Sequence, residues 1–230
     1  MKRALDVTAA GVALVLAAPL LALAAIGIKL SSRGPVLHRA VRAGRDGEPF
    51  EILKLRTMRL GDVGDSRITV GGRDPRVFAV GVWLRKLKVD ELPQLVNILR
   101  GDMAVVGPRP EAVDIVRDHY ATEHMRTLDV APGLASPGSL WNYTHGEALI
   151  GPDDPEGDYL RSLLPVKLAL ELVYVDRASL RYDLELVFRT LRVILQTLSG
   201  RSAWPDPPEL AASAEHVHPV RNPPPDRATG

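Results

Sequence analysis

From Val7 to Ile28 the chain runs for 22 residues without a charge, VTAAGVALVLAAPLLALAAIGI, and this run limits what the whole can become. As a helix it is about 33 Å long, enough to cross the hydrocarbon core of a bilayer. Length alone leaves a span, a cleaved signal peptide and a helix that enters and leaves by one face. Lys2, Arg3 and the Ala22-Leu23-Ala24 triplet resemble a signal peptide, but Asp6 lies in the basic leader and apolar residues continue past Ala24. A single span carries its Lys and Arg unevenly. Here Lys2 and Arg3 precede the run, and Lys29, Arg33, Arg39, Arg42 and Arg45 follow it. Pro19, near the middle, removes the hydrogen bond to Val15 and predicts a kink. The expectation is a re-entrant membrane helix over residues 1–30, kinked at Pro19, with both flanks on one side of the lipid.

The remainder reads as a mainly helical α+β domain over residues 31–200, followed by a Pro-rich tail, 201–230, expected to be disordered. A formal charge of +1 gives no reason to expect nucleic acid as a partner, and the lack of cysteine excludes disulfides, thiolate metal sites and cysteine nucleophiles. His216 and His218, in the tail, are expected to be solvated. VLHRAVR and FEILKLRT flank the turn signal Gly44-Arg45-Asp46-Gly47 and predict a small β-hairpin. Residues 61–76 read as a loop. Helical patterning covers FAVGVWLRKLK, then Leu92, Leu95, Val96 and Leu99 up to a stop at Gly101. A further helix is expected over Pro110 to Leu128, a long loop or several turns over 131–158, and two amphipathic surface helices over Pro165 to Leu198. Those last helices suit either a membrane surface or a charged solvent face over an ordinary core.

Chemistry concentrates in KVDELPQLVNILRGDM. If Pro93 opens a helix, Asp90 and Glu91 sit at its N-terminus, where free N–H groups and the dipole attract phosphate and keep a carboxylate ionised. An ionised carboxylate can attack phosphorus, and paired acids suit Mg²⁺ held jointly with substrate phosphates. Helix-cap acids are the plainer explanation of the same pattern. Arg109, between Pro108 and Pro110, is stiffly aimed and suited to bidentate phosphate recognition. Lys54 and Arg56 alternate along an extended run and so are expected on one face. Arg73, Arg76 and Arg85 add cations nearby in sequence. Together these clusters around one acidic pair suggest a polyphosphate site.

The chain resembles the bacterial sugar transferase family, monotopic phosphoglycosyl transferases that begin lipid-linked glycan assembly. The resemblance runs from Lys2 to about Leu198 through KRALD, GRDGEPFEILKLRTM, LRKLKVDELPQLVNILRGDMAVVGPRPE and LELVYVDRASLRYDLELVFRTL. It implies a UDP-sugar donor bound with Mg²⁺, and Asp90 as the nucleophile that displaces UMP and takes the sugar phosphate. Polyprenyl (undecaprenyl) phosphate is then the acceptor. Glu91 is implied in metal or proton handling, with Asp90 and Glu91 as metal ligands and Lys54, Arg56, Arg85 and Arg109 on phosphate. The implied location is the cytoplasmic face of the inner membrane, among its lipids, with downstream glycosyltransferases as further partners. Tyr174, Ser179 and Asp183 match the family pattern. Ala18 stands where the family has Ser, Glu171 where it prefers Asp, and LASPGSLWNYTHGEAL replaces the usual segment after Pro132-Gly133. A catalytically degenerate relative that binds nucleotide sugar or lipid, or a membrane-anchored scaffold, are the alternatives.

Overall fold

The computed structural model describes residues 2–60 and 74–221. Helix α1 covers Lys2–Ser31 and contains Pro19. It extends beyond the uncharged run because its polar leader has partners deep in the fold. Lys2 Nζ donates to Val106 O, Tyr174 Oη and Asp183 Oδ2 at 3.0, 3.0 and 2.5 Å. Arg3 donates to the carbonyls of Ile98 and Leu99, and Asp6 Oδ1 accepts from Val105 N. Between its ends α1 buries Ala10, Ala24 and Ile28. The opposite side is bare: Val15 and Leu16 are each 74% exposed and Leu23 is 67% exposed.

After α1 comes the expected hairpin, β1 (Leu37–Ala43) against β2 (Pro49–Leu55), antiparallel, with Asp46 left-handed in the turn. Of the expected 61–76 loop, residues 61–73 lie outside the described residues. Helix α2 (Ala79–Lys86) lies close on the strand exit, where a Cβ at Gly81 would come within 2.3 Å of Thr57 O. A 3₁₀ turn, Val89–Glu91, leads into α3 (Gln94–Arg100), which ends at Gly101 with φ 104° as its sequence predicts. Asn97, fully buried, binds α3 to β2: its amide donates to Glu51 O (2.8 Å) and accepts from Leu53 N (3.0 Å). Strand β3 (Ala104–Val106) follows.

Here the fold departs from the sequence reading. The helix expected over 110–128 is broken into α4 (Val113–His119) and a 3₁₀ segment, Glu123–Leu128. Tyr120 is buried in extended conformation, and His124 Nδ1 accepts from Ala121 N, which turns the chain. The 131–158 segment, expected as a long loop or several turns, contains β4 (Gly133–Ala135), parallel to β3, and α5 (Pro137–Thr144). A Cβ on Gly133 would lie 2.0 Å from Gly107 N, so only glycine permits this approach. A 3₁₀ turn, Gly146–Leu149, and α6 (Pro155–Asp158) complete that segment.

A π-turn, Tyr159–Leu163, opens α7 (Leu164–Arg177). Leu164, Leu168, Leu170 and Leu172 are buried on several sides of α7, the pattern of a helix enclosed by its neighbours. Helix α8 (Leu180–Leu198), capped by Ser179 Oγ, turns Leu186 inward and leaves Leu184, Phe188, Leu191 and Leu195 exposed as a stripe. The tail expected to be disordered is in contact with the domain over part of its length. Helix α9 (Glu209–Ser213) is anchored by buried Glu209, which accepts from Tyr182 Oη (2.7 Å) and Arg189 Nη1 (2.5 Å). His216 is not simply solvated: its Nε2 lies 3.1 Å from Asp176 Oδ2, and the His218 ring packs edge-on to His124. Residues 222–230 lie outside the described residues.

Candidate active site

The acidic pair sits on the 3₁₀ turn between α2 and α3, entered through Lys88 in the left-handed region at φ 55°. Pro93 caps α3, as the sequence suggests, but α3 has only seven residues. Side-chain cations therefore dominate the field at the acids. Arg109 Nη2 donates to Glu91 Oε1 at 2.6 Å, and Lys54 Nζ donates to the same oxygen at 3.2 Å. Burial acts to raise the Glu91 pKa, but Arg109 and Lys54 together hold it well below the usual carboxylate range. Lys54 is pushed down to about 8, because its own burial and the nearby Arg109 outweigh the attraction of Glu91.

Asp90 differs. It is buried, and its Oδ1 has no hydrogen-bond partner. Burial and then the adjacent Glu91 push its pKa up, against the pull of Lys54, Lys88 and Arg85. Burial thus works against the charge on Asp90, and the cations around it work in favour of that charge. Glu91 is engaged by two cations, while Asp90 keeps an unbound oxygen.

The backbone of Arg109, between Pro108 and Pro110, is held by a hydrogen bond: Arg109 N donates to Glu171 Oε1 at 3.2 Å. Glu171 is buried on α7, accepts from Ser136 Oγ at 2.7 Å, and is raised by burial to about 7. Beneath it, Lys167 and Glu111 form a buried ion pair. Arg85 Nε donates to Thr57 Oγ1 at 2.8 Å and is close enough to Asp90 to influence it. Arg56 does not join this group. Its guanidinium donates to Pro35 O (2.6 Å), Ser32 Oγ (2.8 Å), Ser32 O (2.8 Å) and Met58 O (3.3 Å), tying the end of α1 to the hairpin. Strand β2 ends at Leu55, so the alternation that would set Arg56 beside Lys54 stops one residue early. Arg76 pairs with Asp74, and Arg73 lies outside the described residues.

Sequence reasoning missed Lys88, Gln94 and His38. Lys88 acts electrostatically on both acids and lies 4.2 Å over the Tyr143 ring. Gln94 is fully buried, and its Oε1 accepts from Arg109 Nη1 at 3.3 Å. His38 is the cross-strand partner of Lys54. Only Lys88 carried a local signal, as a cation two residues before the acids. Among the described residues no group of three His, Asp or Glu forms a metal cage. The unpartnered oxygen of Asp90 beside Glu91 nevertheless fits Mg²⁺, which takes one or two carboxylates and completes its shell with substrate phosphates and water.

Similarity to known proteins extends over most of the chain. The family model described as bacterial sugar transferase matches residues 1–197. The UDP-glucose:undecaprenyl-phosphate glucose-1-phosphate transferase of Caulobacter vibrioides is 40% identical over 199 residues, covering 85% of this chain and 70% of that protein. The Escherichia coli protein of the same name is 36% identical over 194 residues, covering 83% of this chain but only 39% of its own length. Exopolysaccharide production protein ExoY of Rhizobium meliloti is 36% identical over 212 residues, covering 84% of each chain. The match takes in α1, the acidic turn, the Arg109 loop, α7 and nearly all of α8, and this chain belongs to the bacterial sugar transferase family.

Proposed function

We propose that this chain transfers a sugar 1-phosphate from a UDP-sugar to undecaprenyl phosphate, through a covalent intermediate on Asp90, as the first membrane step of a polysaccharide. The observation that carries the reading is the unequal state of the adjacent acids. Glu91 is engaged by Arg109 and Lys54, whereas Asp90 keeps a buried oxygen without a partner.

In the first half-reaction an Asp90 oxygen attacks the phosphorus that bears the sugar. The P–O bond to UMP breaks, and UMP leaves with the electron pair. The sugar phosphate remains on Asp90 as an acyl phosphate. An oxygen of undecaprenyl phosphate then attacks the same phosphorus, and the Asp90 carboxylate leaves, restored. Lys54 and Arg109 meet phosphate oxygens, and Glu91 keeps both cations in position. Lys54, Lys88 and Arg85 oppose the burial that disfavours the charged form of Asp90. Arg56 is assigned to holding α1 rather than to phosphate. Asp90 and Glu91 would hold Mg²⁺, which when bound offsets the repulsion between carboxylate and phosphate.

We read residues 1–30 as re-entrant, residues 31–200 as the catalytic domain on the cytoplasmic face, where UDP-sugars are available, and 201–230 as an appendage. Support comes from the two ends of α1. Lys2, Arg3 and Asp6 bind β3 and the end of α3, and the carbonyl and hydroxyl of Ser32 bind Arg56. A crossing helix would put those ends on opposite faces, about 30 Å apart. The exposed stripe of α8 then lies against the lipid surface. Downstream glycosyltransferases would take up the lipid-linked product.

The test is intact-protein mass spectrometry of wild type and Asp90→Asn in detergent, with Mg²⁺ and a panel of UDP-sugars, omitting the acceptor. A sugar-phosphate adduct on wild type alone, discharged by undecaprenyl phosphate, is the expected outcome. No adduct with any donor, and no UMP release once acceptor is added, would favour a degenerate binder or a scaffold.

A further inference from the structure

Gln94 combines burial with an unused donor. The residue is fully buried, and its Nε2 has no hydrogen-bond partner. The orientation of the amide is determined by its neighbour. A guanidinium only donates, so the oxygen must face Arg109 Nη1 and the NH₂ group must face away from it. A buried amide donor left unpaired is costly, and buried polar groups in folded proteins are nearly always bonded. Gln94 follows Asp90 by four residues, and Asp90 Oδ1 is likewise buried and unpaired. An unused donor and an unused acceptor thus occur in one turn without bonding each other. The same guanidinium bridges Gln94 and Glu91, which ties the amide to the phosphate-binding cations.

We infer that Gln94 is a substrate-binding residue whose NH₂ group donates to a phosphate oxygen of the nucleoside diphosphate while its carbonyl holds Arg109. This rests on the phosphoryl-transfer reading above. It gives Gln94 two separable roles, because one side of the amide serves the protein and the other serves the ligand. A neutral donor suits this position: it adds a hydrogen bond to phosphate without adding another cation to those already competing for Glu91.

The experiment compares full-length wild type, Gln94→Glu and Gln94→Met in detergent, reading UDP affinity by calorimetry and kcat/KM for the UDP-sugar that charges Asp90. Gln94→Glu keeps an acceptor for Arg109 but points a carboxylate oxygen at phosphate; Gln94→Met removes both roles. Both variants are expected to lose roughly ten- to a hundred-fold in UDP affinity and in kcat/KM, the scale of one hydrogen bond to a charged group. Wild-type values in Gln94→Glu would overturn the inference, showing that the residue serves Arg109 alone or that water satisfies its amide. If Gln94→Glu does not fold, Gln94→Met is measured again in an Arg109→Met background. A loss of at least several-fold in UDP affinity there supports the direct contact, and no further loss refutes it. Absence of any adduct on wild-type Asp90 would sink the covalent reading itself, while UDP affinity in the variants still decides the role of Gln94.

Discussion

Glu171→Gln should make the protein more stable at neutral and alkaline pH, by an amount that depends on pH in a definite way. Glu171 is 1% exposed, with Oε1 accepting from Ser136 Oγ and Arg109 N and Oε2 unpartnered. Its pKa is about 7 in the fold against an ordinary value of 4.5, mainly because burial disfavours the charge. That difference corresponds to about 3 kcal/mol of disfavoured ionisation. The folded value lies above the unfolded one, so the contribution of the neutral acid is fully present below about pH 4.5 and is lost as pH rises through about 7. The variant has no such loss, and its amide oxygen can accept the same hydrogen bonds. The stability gap between variant and wild type should therefore widen by about 1.4 kcal/mol per pH unit between roughly pH 5 and 7, then level off. For a chain of this size that is a relative gain in Tm of roughly 6–12 °C. Thermal unfolding followed by tryptophan fluorescence in detergent, in steps from pH 5 to 8.5, measures it. A Tm difference that stays constant across that range would refute a buried, neutral Glu171.

Lys54 should impose an alkaline limb on donor capture: kcat/KM for the UDP-sugar falls as pH rises through about 8, where the free enzyme loses the Lys54 charge. Lys54→Arg should remove that limb, since a guanidinium keeps its proton, and an unchanged limb in the variant would exclude Lys54 as its source. Glu209→Ala should release the C-terminal segment by abolishing its bonds to Tyr182 and Arg189, at a cost of about 1.5–3 kcal/mol. Trypsin should then cut at Arg201 markedly faster than in wild type, and an equal rate would show that the anchor lies elsewhere.

Much of the local structure was legible because its causes are local. The hairpin follows from alternating runs on either side of Gly44 to Gly47, and the end of α3 follows from Gly101, which adopts the left-handed conformation a helix stop requires. The segment over 131–158 reads as a loop or turns although Ser136-Pro137 is a helix-start signal, with Ser136 Oγ accepting from Ser139 N. Glycines and prolines obscured it. The break at Tyr120 had no such signal, since it depends on burial against distant parts of the chain. Strand alternation places Arg56 on the face of Lys54, and that rule fails once the strand ends at Leu55.

By itself the sequence determined that the first thirty residues hold an apolar helix, that Asp90 and Glu91 stand together before Pro93, and that Arg109 lies between two prolines. These depend on covalent order, hydropathy and backbone restriction, which act over a few residues. Only the tertiary structure decided which acid is engaged by cations and which keeps an unpartnered oxygen. That division depends on Arg109 and Lys54 meeting at Glu91, 18 and 37 residues away along the chain, and on the burial of Asp90. Electrostatic energies follow distance in space and local exposure to water, and neither is written in the order of the residues.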